Sequence, residues 1–252
     1  MISGTASKRV LVRAVGPSLT GQGLAAGEVL LDPVIEVYHG PAVVATNNNW
    51  NENSDAAEIA SVGARIGAAP LLSTDTKSSA LLLTLTPGVY SFVVSGNAGT
   101  SGVVLLEVYD ADSTESVAEF VNIATRAYST TGNGVTIGGF VVSGSATKQV
   151  LVRAVGPTLI TQGLAASEVL ANPVIELYRG APVIATNDNW ISNDNALAME
   201  ETAARIGAAP FSSSDATSAA LLLKLPPGVY SFIARGKADT AGIVLVEVYD
   251  AD

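Results

Sequence analysis

Residues 10–17, VLVRAVGP, return letter for letter as residues 150–157, and the 140-residue offset then holds without a gap from Met1 opposite Val141 to Asp112 opposite Asp252. About 68 of the 112 paired positions are identical, so any fold taken by one copy is open to the other. Only residues 113–140 lack a counterpart. The chain therefore reads as two domains, residues 1–112 and residues 113–252, with 113–140 as a strand-bearing joining segment at the head of the second. Since Met1 falls opposite Val141, inside a predicted strand, the start reads as an excised or processed end.

The pattern within a copy is that of a sheet. In residues 89–94, Tyr90, Phe92 and Val94 alternate with Val89, Ser91 and Val93, a period of two. Further strands are predicted at 8–15, 34–38, 43–46, 79–85 and 103–109, punctuated by Gly16-Pro17, Gly40-Pro41 and Pro87-Gly88. Residues 34–46 read as a hairpin. Residues 28–31 are expected to form a single helical turn. Ser54 or Asp55 is placed to cap one short helix with Ala56, Ile59, Ala60 and Ile66 on one side, ended by Gly67, and the second copy repeats it near residues 195–206. In the joining segment, strands at 120–128 and 135–142 flank Thr131-Gly132-Asn133-Gly134, which reads as another hairpin. Seven or eight strands per copy, with one helix, can bury two apolar faces only by stacking sheets. The expected fold is all-β: two tandem antiparallel β-sandwiches of jelly-roll or Greek-key type.

The stretches PVIELYRGAPVIATNDNW, LLLKLPPGVYSFIARG and GIVLVEVYD resemble a tandem β-sandwich repeat of large secreted bacterial proteins of uncharacterised role, and are more distantly similar to the bacterial pre-peptidase C-terminal domain. The resemblance covers essentially the whole chain. It implies an extracellular or cell-surface module without catalytic residues, whose repeat begins at Val121-Asn122-Ile123-Ala124-Thr125-Arg126.

Composition narrows the partners. A net charge of -10 repels phosphates and anionic lipids, which argues against nucleic acid and membrane surfaces. No apolar run approaches the roughly 18 to 20 residues of a membrane helix. Without cysteine there is no disulfide, thiolate nucleophile or zinc-thiolate site. The one histidine, His39, stands at a turn, and no GxSxG elbow occurs, so no catalytic residues are assigned and no enzyme activity is expected.

Three groups remain. Arg13 and Arg153 stand in apolar strands, where an unpaired guanidinium is costly; Glu36 and Glu107, with Glu176 and Glu247 in copy two, are the expected partners in structural ion pairs. Asn187, Asp188, Asn189, Asn193 and Asp194 supply the oxygens Ca²⁺ favours, although loop closure by their own hydrogen bonds is the plainer reading. Trp50 and Trp190 are candidates for stacking on a sugar, or else core plugs.

The expected role is a non-catalytic structural or interaction module of a surface array, stalk or filament, meeting other copies of itself or neighbouring repeats. A carbohydrate- or calcium-binding accessory module of a secreted enzyme is the alternative. With residues 113–140 assigned to domain two, domain one is expected to keep an open edge beside the strand at 8–15, and units are expected to join head to tail by strand complementation.

Overall fold

The computed structural model describes residues 1–112 and 118–252. It comprises two compact units, unit 1 (Met1–Phe120) and unit 2 (Val121–Asp252), each an all-β sandwich of antiparallel sheets. The boundary falls after Phe120 and not after Asp112, because Ala118 and Phe120 pack into the first unit's core. Residues 113–117 of the joining segment lie outside the described residues.

Unit 2 shows the complete arrangement. Its strands are β9 (Asn122–Ser129), β10 (Thr136–Val142), β11 (Lys148–Val155), β12 (Pro173–Tyr178), β13 (Val183–Asn187), β14 (Ala219–Leu225), β15 (Gly228–Gly236) and β16 (Gly242–Asp250). One sheet runs β14-β11-β16-β9, the other β10-β15-β12-β13. Alternation in β15 points Tyr230, Phe232 and Ala234 inward against Val150, Val152 and Ala154 of the facing sheet. The apolar run of β11 has a different cause. Its odd residues face outwards, yet Leu151 is buried too, under the helix α2 (Ala196–Arg205) with Met199, Ala203 and Trp190. A strand covered on both faces is apolar throughout, and alternation disappears.

Unit 1 repeats this with β1 (Ile2–Ser3), β2 (Lys8–Val15), β3 (Pro33–His39), β4 (Ala42–Asn47), β5 (Ser79–Leu85), β6 (Tyr90–Gly96), β7 (Leu105–Asp110), β8 (Glu119–Phe120) and α1 (Ala56–Arg65). Its sheets, β5-β2-β7 and β4-β3-β6, have three strands each; β1 pairs with β8, and its Ile2 also bridges Gly88.

Several local expectations change. The buried stripe of α1 is Ile59, Val62 and Gly63, with Ala60 exposed. Instead of a helical turn at 28–31, Val29 bridges Val103 in parallel, and the helical turn is a 3-10 segment at Pro17–Gln22. The turn before it requires glycine, since a Cβ on Gly16 would stand 1.9 Å from the Leu30 carbonyl oxygen. The joining segment is not a hairpin. β9 pairs with β16 and β10 with β15, in different sheets, so the two strands form an arch that straddles the sandwich. The 34–46 hairpin is present as β3 and β4, with a bulge between Val37 and Tyr38.

Candidate functional site

The feature that distinguishes the units lies along one side of each sandwich, where β6 and β7, or β15 and β16, stand next to one another in chain order but in opposite sheets. In unit 2 the arch closes this side. β10 lies along β15 from Thr136 opposite Ala234 to Val142 opposite Gly228, while β9 lies along β16 from Asn122 opposite Tyr249 to Ser129 opposite Gly242. Its loop is tied by the Thr130 N–H donating to the Gly134 carbonyl at 2.8 Å. The Ser129 hydroxyl reaches across to the other sheet, donating to the Ala234 carbonyl at 3.0 Å. Phe140 stacks on Tyr230 with ring centroids 5.4 Å apart.

The arch needs a glycine at one point. A Cβ on Gly138 would meet the Phe232 ring at 2.2 Å, so the strand approaches the core closely only because position 138 has no side chain.

Among the described residues unit 1 has no arch, and β6 and β7 are edge strands. The open edges therefore do not adjoin residues 8–15 as expected from the sequence: β2 is paired on both sides, by β5 and β7, and the vacant ladders belong to β6 and β7. The side chains that the arch would cover change accordingly. Tyr230, Phe232 and Ala234 are at most 2% exposed, while their counterparts Tyr90, Phe92 and Val94 are partly exposed. Val244 and Val246 are buried, whereas Val104 and Leu106 are not. One end of this side is occupied. Ile2 and Gly88 exchange N–H···O bonds of 2.9 Å each, and by the repeat offset this is the place of Val142 opposite Gly228. β8 then lies on β1, and Phe120 covers Lys8, whose ammonium is 5.7 Å from the ring. Burial alone would lower the Lys8 pKa, but bonds to Asp110 and Asp112 at 2.7 and 2.9 Å outweigh it, and the net shift is upward.

The arginines occupy a second, duplicated constellation on the outer face of the β2 and β11 sheets. Arg13 Nε donates to Glu107 Oε2 at 2.8 Å and its Nη1 to the Ala69 carbonyl at 2.8 Å, while Tyr109 donates to the other Glu107 oxygen at 2.6 Å. Arg153, Glu247, Ala209 and Tyr249 repeat the pattern, and the Phe211 ring lies 4.8 Å from the guanidinium. Burial, then the bond to Glu107, pushes the Tyr109 pKa up to about 12; Tyr249 is raised for the same reasons. Glu36 and Glu176 are not partners of these arginines. They lie in the opposite sheet, where Tyr38 donates to Glu36 and both Tyr178 and Arg235 donate to Glu176. A recess of about 220 Å³ beside Arg153, lined also by Trp190, Met199, Ala203 and Phe211, faces a guanidinium that is already paired.

In the Asn/Asp loop, Asn187 donates to the Asn189 carbonyl and to Asn193 Oδ1 at 3.1 and 3.0 Å, and accepts from the Ala220 N–H. Asp188 accepts from Lys237 and from Asn189. Asn47 repeats both donations, to the Asn49 carbonyl at 3.1 Å and to Asn53 Oδ1 at 2.8 Å. Asp194 is exposed. No group of three or more His, Cys, Asp or Glu lies together among the described residues. Because the side-chain oxygens of Asn187, Asp188 and Asn193 already accept from amides and an ammonium, we expect millimolar Ca²⁺ to leave the melting temperature of unit 2 unchanged; a rise growing with concentration in a calorimetric titration would contradict this. Trp190 is 8% exposed, stacks on Phe211 at 4.9 Å, and donates its indole N–H to the Asp215 carbonyl at 2.7 Å. Trp50 donates likewise to the Asp75 carbonyl at 2.8 Å and is partly exposed. His39 is exposed and stacks on Tyr90 at 4.7 Å.

Two residues that sequence reasoning passed over sit beneath these tryptophans. Asp75 is 3% exposed and accepts from the Ser18 N–H at 2.9 Å, from the Ser18 and Ser78 hydroxyls, and from the N–H groups of Lys77 and Ser78. Asp215 accepts the same set from Thr158, Thr217 and Ser218. The signal was present in the repeat: an aspartate and two hydroxyl residues kept at matching positions in both copies.

No family model and no curated protein matches this sequence. Among solved structures the chain is similar to the infectious bursal disease virus VP2 subviral particle, with a TM-score of 0.21 and 8% identity, over 98% of this chain. It spans 63% of that chain's length.

Proposed function

We propose that this protein is a non-catalytic structural or interaction module, a repeat unit of an extracellular array, stalk or filament, which meets its neighbours through the open side of unit 1. One observation carries the reading: two nearly duplicate sandwiches differ in that one, among the described residues, has both ladders on one side vacant over partly exposed core residues. Vacant ladders leave N–H and C=O groups unpaired and attract strands from other chains. The resemblance to repeats of large secreted bacterial proteins, and a polar surface with few lysines, support the extracellular setting.

Sedimentation tests the reading. With no cognate strand present, we expect weak, concentration-dependent self-association through the vacant edges. A charge placed inside the open side by Leu106→Lys should abolish it, and the same charge on the outward face by Val93→Lys should not. A chain that sediments as a monomer over a hundredfold concentration range, or whose association ignores Leu106→Lys, would remove the basis for this function.

A further inference from the structure

Resting on that reading, we propose that the open side of unit 1 is the receptor for a strand-turn-strand arch with the chemistry of residues 121–140, brought by a repeat unit other than the two described. Unit 2 supplies the template. Its own arch fills the same slot, on strands that match β6 and β7 closely in sequence: VYSFIARG corresponds to VYSFVVSG, and GIVLVEVYD to GVVLLEVYD. The recipient residues are therefore those that already hold such an arch elsewhere in the chain.

The shape of the slot selects the occupant. The vacant ladders belong to different sheets, so a single strand would complete one and leave the other unpaired. An arch completes both and covers the interior between them. Transferring the unit 2 register by the repeat offset sets the glycine of the incoming strand opposite Phe92 and its phenylalanine opposite Tyr90. The serine at the end of the other strand then reaches the Val94 carbonyl, as Ser129 reaches that of Ala234. The occupant must end at the position of Phe140, because Ile2 already holds the place of Val142 on Gly88.

A second copy of this chain is a poor donor. Each arch that left unit 2 to fill a unit 1 would open one sandwich in closing another, with no net gain in paired ladder or buried apolar surface. An additional arch is required, and such an arch caps both edges, which ends strand-edge self-association.

The test adds a synthetic peptide of residues 121–140 to the full 252-residue chain. We expect saturable binding, slowed amide hydrogen exchange in β6 and β7, a melting temperature of unit 1 that rises with peptide concentration, and loss of self-association. A peptide carrying Gly138→Val should bind at least about tenfold more weakly, because its side chain would meet Phe92. Duplicating residues 121–140 in front of Met1 provides a second measurement independent of peptide solubility, and it should produce the same protection and the same rise. Absence of protection in both formats would overturn the proposal. So would protection outside β6 and β7, equal binding of the valine peptide, or dimers in which unit 2 has given up its arch. Association through the open side that neither format suppresses would leave the interaction reading standing and refute this occupant.

Discussion

Replacing Arg153 by methionine should destabilise unit 2 by about 3 to 5 kcal/mol, the cost of leaving one member of a buried ion pair without the other. Glu247 is 6% exposed, and its bonds come from Arg153 and Tyr249. With the guanidinium gone, the carboxylate keeps one hydroxyl donor inside an apolar layer of Tyr249 and Phe211. The Ala209 carbonyl also loses its donor. Removing both charges is a different matter. The double variant Arg153→Met, Glu247→Leu takes away the desolvated pair together, and the site is already surrounded by aromatic rings, so it should be more stable than the Arg153→Met single variant. The two tryptophans make this readable, because Trp50 belongs to unit 1 and Trp190 to unit 2. In a Trp50→Phe background, denaturation followed by fluorescence reports unit 2 alone. A double variant whose loss equals the sum of the two single losses would show that the pair is not coupled.

The same pair shows how far the sequence could be read. A charged residue in the run VLVRAV demanded a partner, and the strand alternation offered two glutamates per copy. What separated them was strand pairing: Arg13 is opposite Glu107 on the neighbouring strand, while Glu36 is in the other sheet. Pairing is set by long-range packing, and local periodicity does not encode it. The arch was misread as a hairpin for the same reason. Gly132 and Gly134 announce a reversal of the chain, but a reversal looks alike whether the flanking strands bond to each other or to separate sheets. The sandwich, the repeat and the short helices were legible because each rests on local pattern or on self-similarity. The open side was legible as a count, one strand pair shared between two copies, and only its location needed the structure. Asp75 was missed because an isolated aspartate among serines and threonines reads as a loop.

That aspartate should give unit 1 its acid sensitivity. Burial alone would raise its pKa, but the hydroxyls of Ser18 and Ser78 and the N–H groups of Ser78 and Lys77 favour the ionised form, and the net shift is downward. A carboxylate with a lowered folded-state pKa contributes stability in full above its unfolded value, near 3.9. Below that value the unfolded chain takes up the proton first, and the contribution is lost progressively as pH falls through the folded pKa. Asp75→Asn removes this at any pH. An amide has one acceptor oxygen where the carboxylate has two, so its NH₂ must face either the Ser18 N–H and the two hydroxyls or the N–H groups of Lys77 and Ser78. Leaving such buried donors unpaired should cost about 3 to 5 kcal/mol at neutral pH, taking about 1.5 to 3 kcal/mol for each hydrogen bond to a charged group. The discriminating quantity is the pH dependence of the difference between wild type and variant. Trp50, whose indole N–H donates to the backbone carbonyl of Asp75 itself, reports the site directly. Followed by its fluorescence in denaturant titrations, the gap should be wide at pH 7 and should narrow below about pH 4, where the protonated wild-type side chain loses the same acceptor capacity as the amide. A gap of constant size from pH 7 to pH 2.5 would mean that Asp75 acts through shape and not through charge.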